Sequence, residues 1–156
     1  MKNMRLKVIL ALSLAVAVFI GASCAEADIK ITIRNNRSHN MSFAFRWDGF
    51  DMDYHSRGWF TVNAEQSRTI TISEAVYALT SSGFGYYATG GGSTWRGNDS
   101  NGLSGWIHPR EAFRLSTDND GDVVQPVSGM QRVLFRRIDL TRESQEDGRA
   151  TITFNP

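Results

Sequence analysis

Four aromatic residues, several of them close to glycine-rich loops, are the side chains best suited to bind a ligand: Trp59, Tyr86, Tyr87 and Trp95. Aromatic rings offer a large apolar surface, and Trp and Tyr add a polar atom that can hydrogen-bond. Rings of this size also fill the cores of small domains, so burial is the competing interpretation. The four residues are therefore candidates for a ligand-binding surface, with packing inside the fold as the alternative.

The segment around Trp59 shows what separates these two interpretations. In an extended strand, Phe60 and Val62 lie on one face, and Trp59 and Thr61 lie on the other. If Phe60 faces the core, Trp59 faces outward unless a second layer covers it. A binding role for Trp59, together with Trp95 from the glycine-rich loop, requires that this face is open.

A short acidic segment has the spacing of a calcium-binding loop. Asp118, Asp120 and Asp122 alternate, and Gly121 lies between the last two. Alternating carboxylates can converge on one hard cation, and a glycine permits the sharp turn. When Gly121 takes the glycine position of such a loop, Val127 stands where a bidentate Glu belongs. We therefore prefer a solvated hairpin loop, expect no cofactor, and keep calcium as the alternative.

A second acidic cluster contains Asp48, Asp51, Asp53 and His55. Carboxylates and an imidazole can bind a metal ion, but no second histidine-rich segment lies nearby in the sequence. A polar loop is the preferred interpretation. Thiol catalysis is not expected, because Cys24 is the only cysteine, and no Gly-x-Ser-x-Gly pattern marks a serine nucleophile.

The first 27 residues have the three parts of a secretory signal peptide. Lys2, Arg5 and Lys7 precede an apolar run over residues 8–20, and Ala25-Glu26-Ala27 fits the small-residue cleavage pattern. The run is too short to span a bilayer, which takes about 20 residues. We expect cleavage after Ala27 and a periplasmic or secreted protein. The alternative is lipidation of Cys24, which would tether the chain to a membrane.

The mature chain, residues 28–156, has the length of a single domain. It contains 14 basic and 15 acidic residues and no cysteine. A net charge of −1 argues against a nucleic-acid partner, which requires a concentrated basic surface. No disulfide framework is possible, so the domain must rely on its hydrophobic core.

Short segments in which apolar and polar residues alternate run through the mature chain. Residues 29–34, 43–47, 59–62, 69–73 and 152–154 show this period of two, and turn-forming Asn, Asp and Gly residues separate them. The pattern predicts an all-β fold, an antiparallel β-sandwich or a partly open barrel. One short helix is predicted at most, over residues 73–82.

Several short motifs are similar to those of the Domain of Unknown Function 1036 family. They are Ile33-Arg34-Asn35-Asn36, Arg57-Gly58-Trp59-Phe60, Tyr86-Tyr87-Ala88, Trp95-Arg96-Gly97 and Phe135-Arg136-Arg137-Ile138-Asp139. Members of that family often carry a cysteine before the first Asn, where this chain has Arg34. A disulfide or thiol role therefore does not carry over. The resemblance implies no activity, because none is assigned to the family.

These features together favour a non-enzymatic β domain that binds a ligand or a protein partner at the cell envelope. A structural or regulatory accessory protein without a small ligand is the second hypothesis. The third is a hydrolase whose residues converge only in space. An open groove lined by Trp and Tyr would favour the first hypothesis, and a cleft with a carboxylate pair or a Ser-His-Asp set would favour the third.

Overall fold

A computed structural model describes residues 29–48, 54–72, 83–117, 128–138 and 149–156. Strands account for 68% of these residues and none of them is helical, so the predicted all-β fold is confirmed. The predicted helix at residues 73–82 lies outside the described residues. The strands are β1 (Ile29–Asn35), β2 (Met41–Asp48), β3 (Tyr54–Val62), β4 (Gln66–Ile72), β5 (Gly85–Gly90), β6 (Ser93–Trp95), β7 (Gly102–Ile107), β8 (Phe113–Thr117), β9 (Gln131–Arg137) and β10 (Arg149–Phe154).

The larger sheet is an antiparallel half-barrel. Its strand order is β7-β9-β5-β2-β3-β8, and β6 pairs with the end of β5 that β9 leaves free. The sheet curls, so that β7 approaches β3 across the concave face although the two strands are not neighbours. None of the described segments is a helix of the length and apolarity that a membrane crossing needs.

The smaller sheet has the order β10-β1-β4 and covers the convex face of the half-barrel. Strands β1 and β4 are antiparallel, whereas β1 and β10 are parallel. This parallel pair differs from the antiparallel pairing that alternation led us to expect. Alternation sets the face of a side chain but not the direction of a neighbouring strand, and β10 comes from the far end of the chain.

The first hydrophobic core lies between the two sheets. Strand β1 alternates as predicted, because Ile29, Ile31 and Ile33 are fully buried. Phe154 of β10 packs edge-on against Phe43 of the large sheet, with ring centroids 5.3 Å apart. This core also contains Met41, Phe45, Trp47, Val62, Ile70, Ile72, Phe84, Tyr86 and Ala88.

A second, smaller core fills the concave side of the half-barrel. It contains Ala44, Ile107, Phe113, Leu115 and Phe135. Strand β2 lies between the two cores and is buried on both faces, since even Ala44 is inaccessible and Arg46 is 9% exposed. The alternation of residues 43–47 predicts that Ala44 and Arg46 lie on a solvent-exposed face. This prediction is wrong, because the curled sheet covers the face that an open sheet would expose.

A β-bulge shapes the centre of the concave face. Phe43 pairs with Phe60, but the next residue, Ala44, pairs with Gly58, so that Trp59 is the extra residue of β3. Strands β2 and β3 approach closely here, since a Cβ on Gly58 would lie 2.7 Å from the Cβ of Ala44. Only glycine fits this position without displacing its neighbour.

The side chain of Asn35 connects the turn between β1 and β2 to the end of β3 through hydrogen bonds. Its buried Nδ2 donates to the carbonyl oxygens of His39 at 2.9 Å and Asn63 at 3.0 Å, and its Oδ1 accepts from the amide of Arg37 at 3.1 Å. A fully buried amide whose donors and acceptor are all used specifies one geometry for its surroundings. The Asn35-Asn36 motif seen in the sequence therefore has a structural role.

Candidate functional site

An open groove of about 410 Å³ lies at one end of the concave face. Strands β2, β3 and β5 form its floor, and the segment that follows β7 forms its side. Its lining consists mainly of aromatic and uncharged polar side chains: Ser42, Trp59, Thr61, Tyr87, Thr89, Ile107, Pro109, Arg110 and Gln131. We call this feature the Trp59 groove.

Three hydroxyl side chains cross the floor of the Trp59 groove in one row. Ser42 of β2 pairs with Thr61 of β3 on one side and with Thr89 of β5 on the other. Neighbouring strands lie about 4.8 Å apart, so the row places a hydroxyl at each of three successive steps. These hydroxyls make no hydrogen bond within the described part of the chain. Each can therefore donate to and accept from a ligand.

Two aromatic rings lie next to this row. The bulge places Trp59 on the concave side, where its ring meets Tyr87 edge-on with centroids 6.0 Å apart. Trp59 also meets Phe113 at 6.1 Å, and Tyr87 meets Phe135 at 6.2 Å. Both rings are partly buried, so each is fixed from behind by the second core while its remaining surface lines the groove.

A short loop holds Trp59 and the side of the groove together. The Nε1–H of Trp59 donates to the carbonyl oxygen of His108 at 2.8 Å. The buried imidazole of His108 accepts at Nδ1 from the amide of Glu111 at 2.8 Å and more weakly from that of Arg110 at 3.4 Å. The polar atom of Trp59 is therefore used inside the protein, and its exposed surface is carbon.

The charged side chains described at the groove are both positive. Arg110 is exposed, and among the lining residues that the structure describes it is the one charged side chain and none is acidic. A second cation, Arg68, lies beside Thr61, because its guanidinium donates to the Thr61 carbonyl oxygen at 2.7 Å. The groove therefore favours a neutral or negatively charged ligand.

Of the four predicted ligand-binding residues, the fold brings Trp59 and Tyr87 together and separates Tyr86 and Trp95 from them. Tyr86 and Trp95 lie on the convex face, where both contact Phe154, with centroids 5.8 and 5.5 Å away. Successive residues of a strand face opposite sides, which is why Tyr86 and Tyr87 diverge. The expected pairing of Trp59 with Trp95 in one surface is therefore wrong.

Tyr86 and Trp95 have surroundings typical of a core. Burial raises the pKa of the Tyr86 hydroxyl, and the neighbouring charge of Arg136 and its hydrogen bond oppose this rise. The guanidinium of Arg37 lies 5.1 Å from the centre of the Trp95 ring, so a cation covers part of that ring. Strand alternation alone could have separated Tyr86 from Tyr87.

Most of the predicted metal-binding residues lie outside the part of the chain that the structure describes. Asp118, Asp120 and Asp122 lie outside the described residues, as do Asp51 and Asp53 of the second acidic cluster. Among the residues that the structure does describe, no three acidic, histidine or cysteine side chains form a group that could hold a metal ion.

The two described members of the second acidic cluster point in different directions. Asp48 forms an ion pair with Arg46 at 2.5 Å, whereas His55 stacks on Trp47 with centroids 5.6 Å apart. The large sheet separates these two contacts, because Asp48 pairs with Tyr54 and Trp47 pairs with His55 at successive positions of β2 and β3.

Arg46 is a charged group that sequence reasoning did not single out. It is buried at the opposite end of the concave face from the Trp59 groove, donates to the Gly83 carbonyl oxygen at 2.8 Å and covers the ring of Tyr54 at 4.7 Å. Burial lowers the pKa of the guanidinium, and the contact with Asp48 opposes the shift. Through these contacts Arg46 connects β2 to the segment that precedes β5, so its role is structural.

A separate hollow of about 560 Å³ shares no residue with the Trp59 groove. Arg96, Asp99, Ser104 and Arg132 line it, and Arg132 donates through Nε to the Ser104 hydroxyl at 2.6 Å. An aspartate stands among its two arginines, and the aromatic candidates lie elsewhere. The Trp59 groove is therefore the better candidate site.

Comparison with models of known protein families gives no match to this chain. Comparison with curated proteins gives no match either. The similarity of the short motifs to the Domain of Unknown Function 1036 family therefore remains a prediction from sequence.

Proposed function

We propose that this chain is an exported, non-enzymatic β domain that binds a ligand in the Trp59 groove at the cell envelope. One observation carries the proposal: two rings fixed from behind and three unengaged hydroxyls share one open surface. Binding sites combine apolar and aromatic lining with a few placed polar groups, and this groove has that composition.

The chemistry of the lining supports binding over hydrolysis. Ser42, Thr61 and Thr89 are hydroxyls, and the described part of the groove lining contains no basic catalyst, neither an imidazole nor a carboxylate, beside them. A serine or threonine nucleophile needs such a base within hydrogen-bonding reach. The imidazole of His108, beside the groove, is buried and already accepts backbone amide protons at Nδ1.

The same surface supports binding over a purely structural role. Unpaired hydroxyls on an open strand surface contribute little to stability, because water satisfies them equally well. The hydrogen bond to the His108 carbonyl oxygen also holds the Trp59 ring in one position on this surface. Preorganised rings reduce the entropy that binding costs.

The test uses the mature chain, residues 28–156, and a panel of neutral oligosaccharides, acidic oligosaccharides and short peptides. Affinities are measured by calorimetry, and binding is checked by the rise in melting temperature that a ligand causes. Thr61→Trp places a bulky side chain in the groove, while Thr71→Trp makes the same change at an exposed position of β4.

We expect at least one class of ligand to bind, with affinity reduced at least about tenfold by Thr61→Trp and unchanged by Thr71→Trp; a tenfold change corresponds to about 1.4 kcal/mol. If Thr61→Trp leaves all binding unchanged, or if no member of the panel binds, the proposal fails and the accessory role becomes the better hypothesis.

Export is a separate part of the proposal, supported by the sequence of residues 1–27. Mass spectrometry of the exported protein should give a mature chain that begins at Asp28. A mass that includes Cys24 with an attached lipid would show instead that the domain is tethered to a membrane.

A further inference from the structure

We infer that the ligand class of the Trp59 groove is an acidic saccharide, in which sugar rings carry carboxylate groups. This inference rests on the proposed function and specifies its ligand. Three properties of the groove support it: the carbon surface of its rings, the row of hydroxyls and the charge of Arg110.

The aromatic surface and the hydroxyl row match the two kinds of surface that a sugar ring has. The faces of a pyranose ring are largely C–H groups, which pack on aromatic carbon, and its edges are hydroxyls. Trp59 offers only carbon to the groove because its Nε1–H is used by the His108 carbonyl oxygen. Ser42, Thr61 and Thr89 then offer a donor and an acceptor each to the edge of the same ring.

A peptide added as a further strand fits the groove less well. Such a peptide binds through free backbone donors and acceptors at the edge of a sheet. Ser42, at the centre of the floor, already has paired strands on both sides, at Thr61 and at Thr89. The floor therefore presents side chains to a ligand, and recognition depends on those side chains.

Arg110 adds the preference for a negative charge. The guanidinium is a planar fork that pairs with a carboxylate through two parallel hydrogen bonds. Within the described part of the chain, the side chain of Arg110 has no hydrogen-bond or ion-pair partner, and no acidic side chain lines the groove and competes for it.

The position of Arg110 is tied to that of the ring. Its backbone amide lies 3.4 Å from Nδ1 of His108, and the carbonyl oxygen of His108 accepts from Trp59 at 2.8 Å. The loop that carries the cation is therefore anchored directly to the aromatic surface. Trp59 and Arg110 line the same groove, so one ligand can contact both.

The experiment compares a glucose trisaccharide with the matched glucuronic acid trisaccharide, using calorimetry on residues 28–156. Both sugars have the same backbone, and only the second carries carboxylates. Arg110→Gln removes the cation from the groove. Arg96→Gln makes the same change at an exposed arginine of the separate hollow and serves as the matched control.

We expect the acidic trisaccharide to bind about fivefold more tightly than the neutral one, as a charge-assisted contact at an exposed site allows. Arg110→Gln should lower the affinity for the acidic trisaccharide about fivefold and so remove that preference, whereas Arg96→Gln should leave the preference as it is. Because the contact is exposed, the preference should also weaken as salt is raised.

Two groups of results would overturn the inference, and they differ in what they mean for the proposed function. If the neutral trisaccharide binds equally well, if the preference survives Arg110→Gln, or if only peptides bind, the ligand class is wrong. In each of these three cases, if Thr61→Trp abolishes the binding that is observed, the result still supports a binding groove. If no ligand of the panel depends on Thr61, both proposals fail.

Discussion

Trp59 supports the fold as well as lining the groove, and its replacement should measure the first of these roles. Complete loss of a buried Trp side chain costs about 3–5 kcal/mol, and for the partly buried Trp59 we take about 2 kcal/mol. Trp59→Ala also leaves the His108 carbonyl oxygen without its donor, which adds about 1 kcal/mol. The expected loss in the free energy of unfolding is therefore about 3 kcal/mol.

Urea unfolding of residues 28–156 measures this loss from the shift in midpoint. Trp59→Phe keeps a ring against Phe113 and Tyr87 but removes the Nε1–H, so we expect a smaller loss of about 1–2 kcal/mol. Thr61→Ala, on the same strand but exposed, should change stability by less than about 0.5 kcal/mol. A loss below about 1 kcal/mol for Trp59→Ala, or equal losses for Ala and Phe, would contradict the packing described.

Three further predictions concern the scaffold. Asn35→Ala should lower the free energy of unfolding, measured in urea, by about 3 kcal/mol, because three partly buried hydrogen bonds, to the carbonyl oxygens of His39 and Asn63 and from the amide of Arg37, are lost; a neutral effect would show that water replaces the side chain. Gly58→Ala should cost about 1–3 kcal/mol through its clash with Ala44, and more than Gly92→Ala, where the space is open and only the positive φ of 75° resists; equal losses would exclude the clash. Burial raises the pKa of Tyr86 in the folded state above its unfolded value of about 10. The contribution of Tyr86 to the free energy of unfolding is therefore complete below that pH and decreases as the pH rises towards the folded pKa. Between about pH 9 and 11, the free energy of unfolding in urea should decrease less steeply with pH for Tyr86→Phe than for the parent protein. Parallel pH dependences of the two proteins would refute this linkage.

The sequence predicted the outer layer of the fold better than its interior. In β1, Ile29, Ile31 and Ile33 alternate with exposed or partly exposed residues, as a sheet with one buried face requires. In β2 the same alternation failed for Ala44 and Arg46. The difference arises because β2 is at the centre of a curled sheet, and curvature depends on the bulge opposite Ala44 and on strands that are distant in sequence.

Only part of the candidate site could be predicted from the sequence, and the rest was missed for a similar reason. Residue type identified Trp59 and Tyr87, but Ser42 and Thr89 were missed, because each is an ordinary strand residue taken alone. They form a row with Thr61 only through the register of three strands, which a single sequence does not reveal. Trp95 was assigned to the same surface because its glycine-rich neighbours suggested exposure, whereas the chain places it against Phe154.

The parallel pairing of β1 with β10 has a consequence for the order in which the protein can fold. Asn36 and Asn155, which share a hydrogen bond of 3.0 Å, are 119 positions apart. Phe154, at the end of β10, packs against rings from β2, β5 and β6. During synthesis, the first core therefore cannot close until β10, which follows β1 at long range in the sequence, has left the ribosome, and contacts of such long range make folding slow. A domain that stays open until β10 has been made is well suited to pass through a translocation pore, as the proposed export requires.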